Sequence, residues 1–267
     1  SLEEAQSLYA RGQWADARIE LGNFLKGDPA NAAALTLLAR IQIASGDGVG
    51  ASTTLARLGN GPASADVADM QAEADMLRGR CRHLLAAVPD KTGLSATVRR
   101  VRALCAIDGG DSAAAEKEVA AGLAAHPGDA GLQLVAARLA ILRGDVTEAE
   151  RLVAAARKAG GSAFEIELAA GALDQRRANV SGALAHYAAA EKRNPLNSGP
   201  LSAQAELLAA VEDSEGLSAI VDRLRRIAPQ SPATEIAAAR LALLRGDPRA
   251  AQEKLLAARQ LAAGRLA

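Results

Sequence analysis

Arg40, Arg138 and Arg240 each stand six residues ahead of a glycine, at Gly46, Gly144 and Gly246. A guanidinium presents a planar fork of donors that suits a carboxylate, so arginines recurring in one register could line a site for an anionic or extended-peptide ligand. Arg100 and Arg176 lie near that register and are candidates for the same surface. The competing reading is that each arginine pairs with an acid on an adjacent helix or is merely solvated. Other chemistry is scarce. His83, His126 and His186 sit in no HExxH or other metal-ligand spacing, so they read as surface or helix-end residues and no metal site is assigned. The chain has no GxSxG elbow and no Walker loop. Gly46-Asp-Gly48-Val-Gly50 follows no strand and reads as a turn. Asn179-Val-Ser181 has the form of a glycosylation acceptor but fits a loop and helix cap better. No catalytic residue and no cofactor is therefore assigned, and the chain is not expected to be an enzyme.

The elements that carry these residues follow from composition. The chain has 267 residues, 31 of them Lys or Arg and 31 Asp or Glu, giving zero formal charge. That balance argues against nucleic acid as a main partner. Alanine makes up about a quarter of the chain, and the aromatics are limited to Tyr9, Trp14, Phe24, Phe164 and Tyr187. Ala loses no side-chain entropy in a helix, and straight chains lose little, so an all-α protein is expected. The longest uncharged stretch runs only from Ala178 to Ala190. A membrane span needs roughly 20 mostly apolar residues, so none is expected.

The chain also repeats itself. Ala136–Asp145 reads AARLAILRGD and Ala238–Asp247 reads AARLALLRGD, three periods of about 34 further on. Gly12, Gly46, Gly110, Gly144 and Gly246 fall on one ladder of that period, with a single shift between Gly46 and Gly110. Ala178 and Glu212 fill the rungs between Gly144 and Gly246. Small residues recur seven before the rungs (Ala5, Ala39, Ala103, Ala137, Gly171, Ala205, Ala239) and, with Leu217 the exception, five after (Ala17, Ala51, Ala115, Ala149, Ala183, Ala251). Each position has a physical reason. A glycine ends a helix where a left-handed residue is needed. The Asp or Asn after it suits the N-cap of a second helix. Small residues belong where paired helices approach most closely. Pro29, Pro127, Pro195 and Pro229 recur at one fixed offset after their rungs and close the second helices.

This pattern resembles the tetratricopeptide repeat, a helix–turn–helix unit of the same period, and does so along the whole chain. The resemblance implies an all-α fold: a right-handed superhelix, or α-solenoid, of about eight helix–turn–helix units in a single domain over 1–267. The units are expected at 1–31, 32–65, 66–95, 96–129, 130–163, 164–197, 198–231 and 232–267. The third, with Pro89 only ten residues after Gly79, must have a short second helix. Cys81 would begin that helix and Cys105 lie late in the next, so a disulfide is one reading and two buried small apolar residues the other. Neither end shows an obvious polar cap, which suggests a fragment of a longer repeat protein or ends that self-associate. The family places first helices on a concave face, with the ninth residue of each unit pointing inward. Here those residues are Gln6, Arg40, Ala74, Leu104, Arg138, Ala172, Glu206 and Arg240. The Lys/Asn carboxylate clamp of chaperone-binding members is absent.

The opening, from Glu3 through Trp14 to Asp28-Pro-Ala-Asn31, then Leu37–Ile41 and Leu58–Pro62, is similar to long bacterial tetratricopeptide lipoproteins of exosortase (PEP-CTERM) and exopolysaccharide systems. That resemblance implies a scaffold in the bacterial periplasm or envelope, with any lipid anchor outside this chain; a cytoplasmic protein is the alternative. The expected function is a non-enzymatic scaffold that binds a partner protein or peptide in its concave groove. The alternative is a regulatory or substrate-presenting segment of a larger enzyme, such as a glycosyltransferase or peptidase.

Overall fold

The computed structural model describes residues 1–59 and 65–266. Among them are sixteen helices and no strand. They succeed one another in pairs: α1 (Leu2–Ala10) and α2 (Trp14–Gly27), α3 (Ala32–Ala44) and α4 (Gly48–Ala56), α5 (Ala65–Leu77) and α6 (Cys81–Ala87), α7 (Ala96–Asp108) and α8 (Ser112–Ala125), α9 (Ala130–Arg143) and α10 (Val146–Lys158). These form one compact unit, Ser1–Ser162. A second, Ala163–Ala267, holds α11 (Ala163–Arg176) with α12 (Val180–Arg193), α13 (Gly199–Ala210) with α14 (Ser214–Ile227), and α15 (Pro232–Leu244) with α16 (Pro248–Leu266).

Every pair turns on the same device. The rung residue is left-handed, with φ of 74° at Gly12, 77° at Gly79, 80° at Gly144 and 58° at both Ala178 and Glu212. The N–H of the next residue then reaches the carbonyl five positions back at 2.8 or 2.9 Å, as in Asp47 to Gln42, Asn179 to Asp174 and Asp213 to Leu208. This bond satisfies a carbonyl orphaned at the helix end. Except at α2 and α6, whose cap positions are Gln13 and Arg80, the side chain of that same residue caps the following helix. Asp47, Asp111, Asp145, Asn179, Asp213 and Asp247 each accept from the backbone N–H three positions on, at 2.8 to 3.1 Å. The expected cap at Asn179 is thus present, whereas the turn expected over Gly46–Gly50 ends at Asp47, because Asp47 caps α4 and Gly48 and Gly50 are already helical.

The small residues on either side of the rungs are buried, with Ala39, Ala51, Ala137 and Ala149 fully enclosed. Gly171 departs from alanine for a local reason. A Cβ there would stand 2.4 Å from Cε1 of Tyr187, the aromatic ring that fills the seam in its repeat. Gly48 marks another close approach, since a Cβ would lie 2.8 Å from the backbone oxygen of Ala74.

One register differs from expectation. The third repeat turns on Gly79, one position short of a full period after Gly46, so the position six before its rung is Glu73. Ala74, expected to face inward, is fully buried in the seam with Leu55 and Met70. In α1, Glu3 and Ser7 are exposed and stand at positions that are apolar in later first helices.

Candidate interaction surface

The first helix of each repeat supplies the surface of interest. In the N-terminal unit, α1 and α3 enclose a depression of about 470 Å³ lined by Gln6, Tyr9, Thr36, Leu37 and Arg40. In the C-terminal unit, α13 and α15 enclose one of about 370 Å³ lined by Glu206, Ala210, Arg240, Leu243 and Leu244. Both have the residue six before the rung on each of their two helices: Gln6 with Arg40, and Glu206 with Arg240. A helix brings residues three and four apart onto one face, so that register repeats along successive first helices. Each depression sets apolar side chains, Tyr9 and Leu37 in one and Leu243 and Leu244 in the other, beside a guanidinium.

The five candidate arginines fare differently. Arg40 pairs with Asp66 on α5, Arg100 with Glu73 on α5, and Arg138 with Asp108 on α7 at 3.2 Å. All three link one first helix to another. The Arg40 and Arg138 pairs are about half exposed on both sides, whereas the Arg100 pair is largely covered. In the C-terminal unit, Arg176 and Arg240 make no ion pair among the described residues; Arg176 is exposed and Arg240 half-buried. Exposed pairs of this kind contribute about 0–1 kcal/mol, so a ligand carboxylate can exchange with Asp66 or Asp108 at little cost.

A second set of charges is buried. Arg99 and Arg102 on α7 both hold Glu118 on α8, at 2.7 Å from Arg99 Nη1 to Oε2 and 2.8 Å from Arg102 Nε to Oε1. Arg99 also donates to Asp90 and to the Lys91 carbonyl, each at 2.7 Å, and Arg102 to the Val88 carbonyl. Lys117 reaches Asp90 at 2.9 Å. Burial works against the Arg99 cation, but its bonds to Glu118 and Asp90 prevail and raise its pKa. Hydrogen bonds from Lys117 and Arg99 hold the Asp90 carboxyl down at about 2. Cys81 on α6 and Cys105 on α7 are joined in a disulfide, their Cα atoms 5.4 Å apart. The bond and the charge network together fix the segment that follows the short helix α6. They serve architecture. The helical pattern of α7 gave no sign that Arg99 and Arg102 are buried, because their partner Glu118 and the loop carbonyls lie on other elements.

The histidines stay apart. His186 places Nδ1 2.7 Å from Glu167 and Nε2 3.6 Å from Asp174, forming a bridge between α12 and α11. His126 lies 3.4 Å from the Leu94 carbonyl, and His83 is exposed. The neighbouring Tyr187 hydroxyl donates to Gln175 at 2.9 Å, and burial, with the Glu206 carboxylate adding to it, pushes its pKa up to about 12. Among the described residues no cluster of three or more His, Cys, Asp or Glu side chains could hold a metal ion. No described helix is long and apolar enough to cross a membrane.

Residues 8–74 match a family model described as tetratricopeptide repeat. The whole chain is similar to a solved tetratricopeptide repeat protein from Parabacteroides merdae ATCC 43184, at 14% identity and a TM-score of 0.56, over 97% of this chain and 91% of that one. It is also similar to a chain of the APC/C hetero-tetramer Cut9-Hcn1, at 12% identity and a TM-score of 0.59, over 98% of this chain and 54% of that one. This chain thus spans about half the length of the latter. No curated protein matches it in sequence.

Proposed function

Taking the tetratricopeptide-repeat fold as the premise, we propose that this chain is a non-enzymatic scaffold whose first-helix face binds a partner protein through an extended segment. The observation that carries the reading is the repeated register. Depressions open at Gln6 and Arg40 in one unit and at Glu206 and Arg240 in the other, each with apolar walls beside a guanidinium. Such a site takes an apolar side chain flanked by a carboxylate. The apolar side chain displaces water, and the fork of the arginine orients the acid. The preferred ligand is therefore a peptide with alternating acidic and aliphatic residues.

We place the protein in an oxidising compartment, with a role in a bacterial envelope or export assembly. The Cys81–Cys105 disulfide supports this, because structural disulfides persist mainly outside the reducing cytosol. So does the similarity of the opening residues to envelope-associated repeat lipoproteins. Thiol alkylation of unreduced cell extracts tests the compartment: the expected product carries no label at Cys81 or Cys105, and full labelling of both would overturn the placement.

Selection of a random peptide library on the full chain tests the binding surface. Peptides enriched on wild type should carry Asp or Glu next to Leu, Ile or Val. They should bind the Arg40/Arg138/Arg240→Ala variant at least about tenfold more weakly, a loss of about 1.4 kcal/mol. Equal binding to both proteins would remove the arginines from the site.

A further inference from the structure

The depression between α1 and α3 is built differently from the one between α13 and α15. Given the first-helix face as the binding surface, we propose that the α1–α3 depression selects an aromatic side chain beside an acidic residue of the partner segment. Three residues before the rung, the next four first helices carry Ile43, Met76, Ile107 and Ile141. At that place α1 carries a ring, Tyr9, which lines the depression. The rings of Tyr9 and Trp14 are stacked, with centroids 6.0 Å and planes 21° apart. Trp14 Nε1 also donates to the Tyr9 carbonyl at 3.2 Å. These two contacts to Trp14 fix where the Tyr9 ring stands.

Hydrogen-bonding groups with open valences share that depression. Among the described residues the Gln6 amide, the Tyr9 hydroxyl and the Thr36 hydroxyl make no hydrogen bond. The hydroxyls of Ser45, Thr53 and Ser202 bond back to the carbonyl four residues earlier, at 2.7, 3.0 and 3.1 Å. The half-buried Thr36 does not, so its hydroxyl is left for a ligand or water. Arg40 is held by Asp66 in a pair exposed on both sides. An aromatic side chain entering here meets the Tyr9 ring, and contact between two rings adds attraction beyond the apolar area buried. Gln6 and Thr36 supply donors and acceptors for the backbone of the segment, and Arg40 takes the neighbouring carboxylate. The other depression is lined by Glu206, Ala209, Ala210, Arg240, Leu243 and Leu244. With no ring, amide or hydroxyl side chain among them, it gives an aromatic residue no advantage over leucine.

Trp14 is the chain's one tryptophan and touches Tyr9, so its emission reports occupancy of this depression. Two blocked peptides, Glu-Leu-Asp-Phe-Asp-Leu-Glu and Glu-Leu-Asp-Leu-Asp-Leu-Glu, are titrated into the 267-residue protein, with calorimetry and Trp14 emission read together. The phenylalanine peptide should bind about fivefold more tightly than the leucine peptide and shift the emission. Tyr9→Leu puts at this place a residue of the kind the other repeats carry, so the variant should keep the wild-type circular dichroism. It should bring the phenylalanine peptide down to the affinity of the leucine peptide. Tyr9→Phe keeps the ring and should keep the preference. Equal binding of both peptides to wild type, a preference that survives Tyr9→Leu, or an unmoved Trp14 emission would each overturn the aromatic selection. The first-helix reading would then still stand if both peptides bind and both are weakened by Arg40/Arg138/Arg240→Ala. Failure of both peptides to bind wild type would overturn that reading and the aromatic selection with it.

Discussion

The left-handed rungs set the chain's most constrained backbone positions. Six of the eight are glycine, but Ala178 and Glu212 adopt φ of 58° with a Cβ in place. That conformation costs an L-residue about 1–2 kcal/mol, part of which glycine gives back as entropy of the unfolded chain. Ala178→Gly and Glu212→Gly should each stabilise the protein by roughly 0.5–1 kcal/mol, and Gly110→Ala should destabilise it by a similar amount, as read by urea unfolding. Gly171 and Tyr187 form a coupled pair. Gly171→Ala alone should cost about 1–3 kcal/mol through overpacking against the ring, and Tyr187→Val alone should leave a cavity. The double variant restores the alanine–valine pairing of the repeat at Ala137 and Val153, so its loss should be clearly smaller than the two single losses added. Asp90 gives a pH signature. Its folded pKa lies at about 2 against an ordinary value of 3.8, so its contribution is complete above the ordinary value and is lost as pH falls through the folded one. The stability difference between wild type and Asp90→Asn should be constant above about pH 5 and shrink steadily toward pH 2.

The turns, and the shortness of α6, could be read from the sequence because each turn imposes a residue type. The ladder of glycines, the Asp or Asn after each rung and the flanking alanines all report backbone or close-packing requirements local to one repeat. What depends on pairing between elements could not be read. Glu73, not Ala74, holds the inward register in the third repeat because that repeat is one residue short. Arg99 and Arg102 have the composition of a solvated face, yet they close on Glu118 in the adjacent helix and on carbonyls of the loop after α6. Arg100, between them, pairs with Glu73. These differences rank the charge pairs. Glu118→Ala leaves two buried guanidinia short of a partner and should cost about 3–5 kcal/mol. Replacing both cysteines by serine releases a link across 24 residues and should cost about 3 kcal/mol. Arg138→Ala breaks an exposed pair and should cost about 1 kcal/mol or less. Chemical denaturation of the three variants checks the order.

At the scale of the whole molecule, each of the two units bears the same surface register on its first helices. Fold alone does not fix function, so a binding role stands on where partners touch the chain. The register itself was accessible from the sequence, through the spacing of Arg40, Arg138 and Arg240 ahead of their rungs. The partition of those arginines into paired and unpaired was not, because it depends on which acid the next helix presents. Site-directed photocrosslinking in the organism that carries the protein tests the binding role most directly. A photoreactive residue replaces Gln6 or Glu206 on the first-helix face, or Arg18 or Lys117 as exposed second-helix controls. Binding along the first helices predicts one crosslinked protein species from Gln6 and Glu206, lost with Arg40/Arg138/Arg240→Ala, and none from Arg18 or Lys117. Crosslinks from Arg18 and Lys117 alone would contradict it.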